Sequence, residues 1–108
     1  MTQELPIPSV ALEHRSVEML RVWLANDKVH VSLNIGFWED REMDERSCYG
    51  ILLADIIHHI ANAHHEQYGH DASETFERVK TAFLAEVGHS TTDHIGGFVP
   101  ATLRDDEV

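Results

Sequence analysis

Nine histidines in a chain of 108 residues invite a reading as ligands or proton carriers. Four of them, His58, His59, His64 and His65, fall in one stretch, Ser47 to Tyr68, which has a helical period. At about 100° per residue, Tyr49, Leu52, Leu53, Ile56, Ile57, Ile60 and Ala63 share a broad apolar face. Asp55, His58, His59, Asn62, His65 and Glu66 lie opposite. A helix chelates a metal ion through side chains one turn apart, at i and i+3 or i+4, because those stand on the same side. No two histidines in this stretch have that spacing. The one-turn pairs are Asp55 with His58 or His59, while His58 and His65 are two turns apart. The metal candidates are therefore Asp55, His58, His59 and His65, a set that needs help from His30, His70, His89, His94 or a second subunit to make a strong site. Asp55 and His59 also make an ordinary i,i+4 pair, contributing ~0.2–0.5 kcal/mol to the helix.

Other constellations are incomplete. His65-Glu66-Gln67-Tyr68-Gly69-His70 approaches the helical zinc-hydrolase pattern H-E-x-x-H, but the second histidine comes one residue late and Gly69 occupies the required place. Cys48 in a first helical turn could be activated by the helix dipole, yet His58 and His59 lie about 15 Å further along at 1.5 Å per residue. Neither can serve it as a base, and a small, semi-buried residue is the plainer reading. There is no G-x-S-x-G elbow, phosphate-binding loop or dinucleotide fingerprint. No catalytic residue and no cofactor is expected. Trp23, Trp38, Phe37 and Phe98 form an aromatic group that needs cover from an arm of the chain, another chain or a ligand.

The elements that carry these residues follow from periodicity. Pro6 and Pro8 set an extended lead-in, and residues 9 to 15 can hold a helical turn. From Met19 the period is two: Leu20, Val22 and Leu24, then Val29, Val31 and Leu33, alternate with polar or aromatic neighbours. Asn26-Asp27 tolerate left-handed backbone and close a two-residue hairpin turn. That turn pairs Leu24 with Val29, Val22 with Val31 and Leu20 with Leu33, and a one-residue slip would destroy the match. EDREMDER is a polar connector; Asp44 or Ser47 caps the central helix and Gly69 closes it. Asp71, with Glu74 three residues on, begins a second helix with Phe76, Val79, Phe83 and Val87 at helical spacing, ended by Gly88. The expected fold class is α+β, a β-hairpin packed on two helices in the order β-β-α-α, its core formed by Leu20, Val22, Leu24, Val29, Val31 and Leu33 against Leu53, Ile56, Ile60, Phe76, Val79 and Phe83, with residues 89 to 98 as an arm that could add a strand. Residues 1–98 are expected to form a single domain and residues 99–108 a mobile acidic tail.

Composition limits the partners. Nineteen acidic against eight basic side chains give a formal charge of −11, which repels a phosphate backbone and anionic lipid, so neither nucleic acid nor membrane is an expected partner. Protonating all nine histidines would bring the formal charge to −2, so association could respond to mild acid. A single cysteine excludes an internal disulfide. The N-terminal residues lack a basic-then-apolar leader, and no apolar run approaches the ~18 residues a membrane span needs; a cytoplasmic location is expected.

Taken together, ELPIP near the start, LRVWLAND with VHVSLN, GFWED at 36 to 40, GILLADIIHHIANA at 50 to 63, and VKTAFLAE followed by TTDHIGG resemble a family of short bacterial proteins known only as a domain of unknown function. The resemblance covers most of residues 4 to 97 and implies an α+β unit without a known activity. The chain departs from that pattern in its longer connector at 39 to 47, at His58, and in HHEQYGH at 64 to 70. A histidine-based function would therefore be particular to this protein.

Three functions are compatible with these features. The leading one is a non-enzymatic interaction module that self-associates as a homodimer, because a lone hairpin leaves two unpaired edges; the competing outcome is that an arm, residues 5 to 15 or 89 to 98, adds a strand and leaves a monomer. The second is a metal- or pH-responsive binding protein using the histidine-rich face. The third is a small acid–base enzyme in a dimer cleft, with Asp55 orienting His59 for proton transfer.

Overall fold

The computed structural model describes residues 1–89 and 94–100. The chain divides into two compact units: Met1–Phe37 with His94–Val108, and Trp38–Asp93 between them in sequence.

The first unit is built on the hairpin. A short helix, α1 (Ser9–Glu13), follows Pro8, whose carbonyl accepts the Ala11 amide at 2.9 Å. Strands β1 (Leu20–Ala25) and β2 (Lys28–Ile35) are antiparallel, with Leu20 opposite Leu33, Val22 opposite Val31 and Leu24 opposite Val29, as the turn chemistry requires. Asn26 and Asp27 both have positive φ, 54° and 60°, the backbone signature of a type I′ turn, whose twist matches that of the strands. Trp23 faces His30 across the ladder. Its face is half-buried, while Val22 and Leu24 on the opposite face remain 53% and 81% exposed.

The arm after the helices does add a strand. β3 (His94–Pro100) pairs parallel with β2, from Val29 opposite His94 to Ile35 opposite Pro100, giving the order β1-β2-β3 with β2 central. The strand therefore runs beyond the expected arm end at Phe98 and takes in the first two residues, Val99 and Pro100, of the stretch expected to be a mobile tail. The rest of that tail, residues 101–108, lies outside the described residues. Asn34, on the central strand, is 3% exposed.

In the second unit a 3-10 turn (Glu39–Arg41) leads to Glu42, which has a left-handed φ of 56°. Helix α2 (Glu45–Tyr68) then starts at Asp44, whose carboxylate accepts the Arg46 amide at 3.1 Å. Asp44 rather than Ser47 is thus the cap. Trp38 meets Tyr49 edge-on at 5.2 Å between ring centroids. Gly69 closes α2 with φ 74° and donates its amide to the His65 carbonyl at 2.9 Å, the left-handed position that glycine occupies without a Cβ penalty. Helix α3 (Ala72–Gly88) is capped by Asp71, which accepts the Glu74 amide at 2.9 Å. The reciprocal half of the capping box is not where Glu74 appears: its carboxylate pairs with Arg78 at 3.1 Å.

Helices α2 and α3 fold against each other, but the seam they share is narrow. Cys48 and Ala61 are the buried apolar residues among those described. Leu53, Ile60 and Phe83, expected in the core, remain 41%, 37% and 42% exposed, and Ile51, Leu84 and Val87 are more open still. A seam between two helices buries one stripe of each, and these helices carry more apolar surface than that one seam can cover.

Candidate functional site

The histidine face of α2 is divided by its neighbours rather than gathered into one site. Asp55 and His59 meet through Oδ2 and Nε2 at 3.3 Å, with both side chains more than 60% exposed. In that setting an ion pair contributes little, because water screens it. His58 does not join them. Its ring lies on that of Phe76 in α3, with centroids 4.5 Å apart and planes 18° from parallel, so it serves as an aromatic packing residue between the helices. Lys80 stands 5.5 Å from the other partner of that stack, over the Phe76 ring.

His65 also turns away from the Asp55 group, and donates from Nδ1 to the His70 carbonyl at 2.9 Å. A carbonyl oxygen only accepts, so the hydrogen of this bond sits on Nδ1. Of the four metal candidates, Asp55 and His59 are thus brought together, and His58 and His65 are each engaged elsewhere. Among the described residues no set of three histidine, cysteine, aspartate or glutamate side chains converges as a metal site.

A different pair is assembled at the corner between the helices. Gly69 reverses the chain and returns His70 beside His64, so that the two Nδ1 atoms are 3.4 Å apart with ring planes 19° from parallel. The Tyr68 ring stands 5.5 Å from both imidazoles. His64 is half-buried and His70 exposed. Counting one-turn spacings along a helix missed this pair because its two members lie on opposite sides of a helix end, six residues apart. Two signals were nevertheless available in the sequence: the glycine that must close α2, and the histidine directly after it.

The remaining candidates read plainly. Cys48 is 8% exposed and its amide donates to the Asp44 carbonyl at 3.0 Å, a structural place in the first turn. On the sheet, His30 donates from Nε2 to the Ala25 carbonyl at 3.2 Å, which closes the hairpin end. Arg21 bridges Glu4 at 3.4 Å and Glu18 at 3.1 Å beside a hollow of about 20 Å³ lined by Leu20, Ser32 and Leu33 among others. That is room for a water molecule or so, far below the size of a substrate pocket.

This is a mixed α+β architecture in which, along the sequence, a helix pair comes between the central strand of a small sheet and that strand's parallel neighbour. The chain belongs to the family described as a domain of unknown function, DUF5076, whose profile matches residues 4–91. Among solved structures it is similar to a chain from the photosynthetic bacterium Rhodopseudomonas palustrus CGA009 that is described as a candidate pyruvate dehydrogenase. The identity is 26%, with 87% of this chain and 90% of that one covered at a TM-score of 0.57. No curated protein matches the chain. No helix among the described residues is long and apolar enough to cross a membrane.

Proposed function

We propose that this chain is a non-enzymatic interaction module that acts as a homodimer. What carries the reading is the distribution of apolar surface: Leu84 is 59% exposed, Val87 69%, Ile51 71% and Leu24 81%, whereas Cys48 and Ala61 are the buried apolar residues among those described. Scattered exposed apolar residues are ordinary, but Phe83, Leu84 and Val87 fall within five consecutive positions of one helix, and clusters of that kind mark association surfaces. The partner is a second copy. Strand β1 supports this, since among the described residues its one strand neighbour in the sheet is β2 and it carries no proline or lysine to blunt pairing with another edge. A two-fold arrangement would satisfy both copies with one self-complementary contact.

Oxidation of pyruvate, the activity in the description of the Rhodopseudomonas chain, is not part of this reading. Light scattering of tag-free protein across micromolar concentrations tests the proposal. A mass near twice the 12.3 kDa of one chain is expected. A mass of one chain at every concentration overturns it.

A further inference from the structure

We propose that His64 and His70 form a two-nitrogen binding site for a divalent transition-metal ion of the zinc type, independent of the Asp55–His59 pair. The argument begins with distance. In a tetrahedral zinc site with bonds of 2.0–2.1 Å, two ligand nitrogens stand about 3.3–3.4 Å apart. The Nδ1 atoms of His64 and His70 are 3.4 Å apart without an ion to draw them together. Much of the ordering cost of a chelate is therefore already met by the fold, because Gly69, at φ 74°, fixes the reversal that returns His70 to His64.

The chemistry agrees with the distance. Without a metal ion, one of the two Nδ1 atoms must carry a hydrogen for the other to accept, since two facing lone pairs would repel. A cation bound by both, off the line between them, takes the place of that hydrogen, which moves to Nε2 of the same ring. Both imidazoles stay neutral, no proton need leave the site, and each Nδ1 gives its lone pair to the ion. Imidazole nitrogen suits zinc, nickel and copper rather than calcium or magnesium, which prefer oxygen.

The surroundings hold the rings in place. The His65 Nδ1 hydrogen bond to the His70 carbonyl, 2.9 Å, ties the backbone of one ligand to the helix that carries the other. Tyr68 lies 5.5 Å from both rings. A chain with a formal charge of −11 also concentrates cations at its surface. Two protein nitrogens leave the remaining coordination positions to water, so the ion is exchangeable and the fold does not depend on it. Both ligands come from one chain, so the inference stands or falls apart from self-association.

The test uses full-length, tag-free protein and zinc ion alone, with affinity measured by competition against a coloured chelator. One ion per chain is expected. His64→Gln and His70→Ala should each weaken binding by at least about tenfold, since even loss of an outer partner of a metal ligand costs on that order. His59→Ala should leave it unchanged. Circular dichroism confirms that the variants keep their helices. Independently of any variant, copper ion added in trace amounts to the wild-type chain should broaden the imidazole proton resonances of His64 and His70 before those of His59. Acidification should release the ion, because a protonated imidazole has no lone pair to give. The proposal is overturned by an absence of zinc binding at millimolar concentration, by binding that survives His64→Gln combined with His70→Ala, or by binding lost in His59→Ala.

Discussion

Replacing Leu84 with alanine separates surface that is exposed in the chain from surface that is covered in the assembly. Leu84 is 59% exposed, and leucine exceeds alanine by three carbons, worth about 2.4 kcal/mol when fully buried at ~0.8 kcal/mol per carbon. If a second copy covers the exposed fraction, the substitution costs about 1.4 kcal/mol per protomer and about 2.8 kcal/mol per dimer. At 1.4 kcal/mol per factor of ten, that weakens dimerisation about 100-fold. Alanine is the better helix former, so the backbone of α3 has no reason to suffer. Sedimentation velocity over a concentration series reads the dissociation constant, and a melt at concentrations where the variant is monomeric checks the fold. An unchanged dissociation constant would place the contact elsewhere, and a large loss of monomer stability would show that Leu84 belongs to the core.

Four further outcomes follow from contacts within the helix pair. Gly69→Ala puts a Cβ on a left-handed residue at φ 74° and should cost about 1–2 kcal/mol, seen as a lower denaturant midpoint; zinc affinity should fall with it, because the reversal positions His70. Asp71→Ala removes the acceptor of the Glu74 amide and should cost about 1 kcal/mol in urea unfolding, with Asp71→Asn restoring most of it. His58→Ala deletes a ring stacked on Phe76 and should lower stability by about 0.5–1.5 kcal/mol. His59→Ala, by contrast, should leave the urea midpoint nearly unchanged, as expected for an exposed pair.

What could be read from the residues alone was whatever local chemistry determines. Asn26 and Asp27 fixed the hairpin register, and Asp44, Gly69 and Asp71 marked the helix ends, because turns and caps are decided within a few residues. The third strand was less legible. His94 to Pro100 contains Gly96, Gly97 and a terminal proline, a poor strand by propensity, and its pairing with β2 depends on a partner far away in sequence. The helical wheel set His58 on the polar side, where it is exposed, but gave no sign that Phe76 on the next helix stacks on its ring. It also assigned Leu53 and Ile60 to a core, although 41% and 37% of their surface is open. Periodicity shows which side of a helix is apolar; what covers that side is a matter of assembly.

The parallel pairing of β3 with β2 has a consequence for how the chain reaches its fold. The hairpin turn and the helix pair are each closed by neighbours in sequence, so both can form in microseconds on their own. β3 follows both helices in the sequence and pairs with a strand that precedes them, so the entropy of closing a long loop is lost before its ladder forms. Folding should thus end with the docking of this strand, and until then the outer edge of β2 is open to any other extended segment, including β3 of a second chain. Exchange of β3 between copies is the misassembly this connectivity favours, and a slow, concentration-dependent last phase in refolding would be its signature.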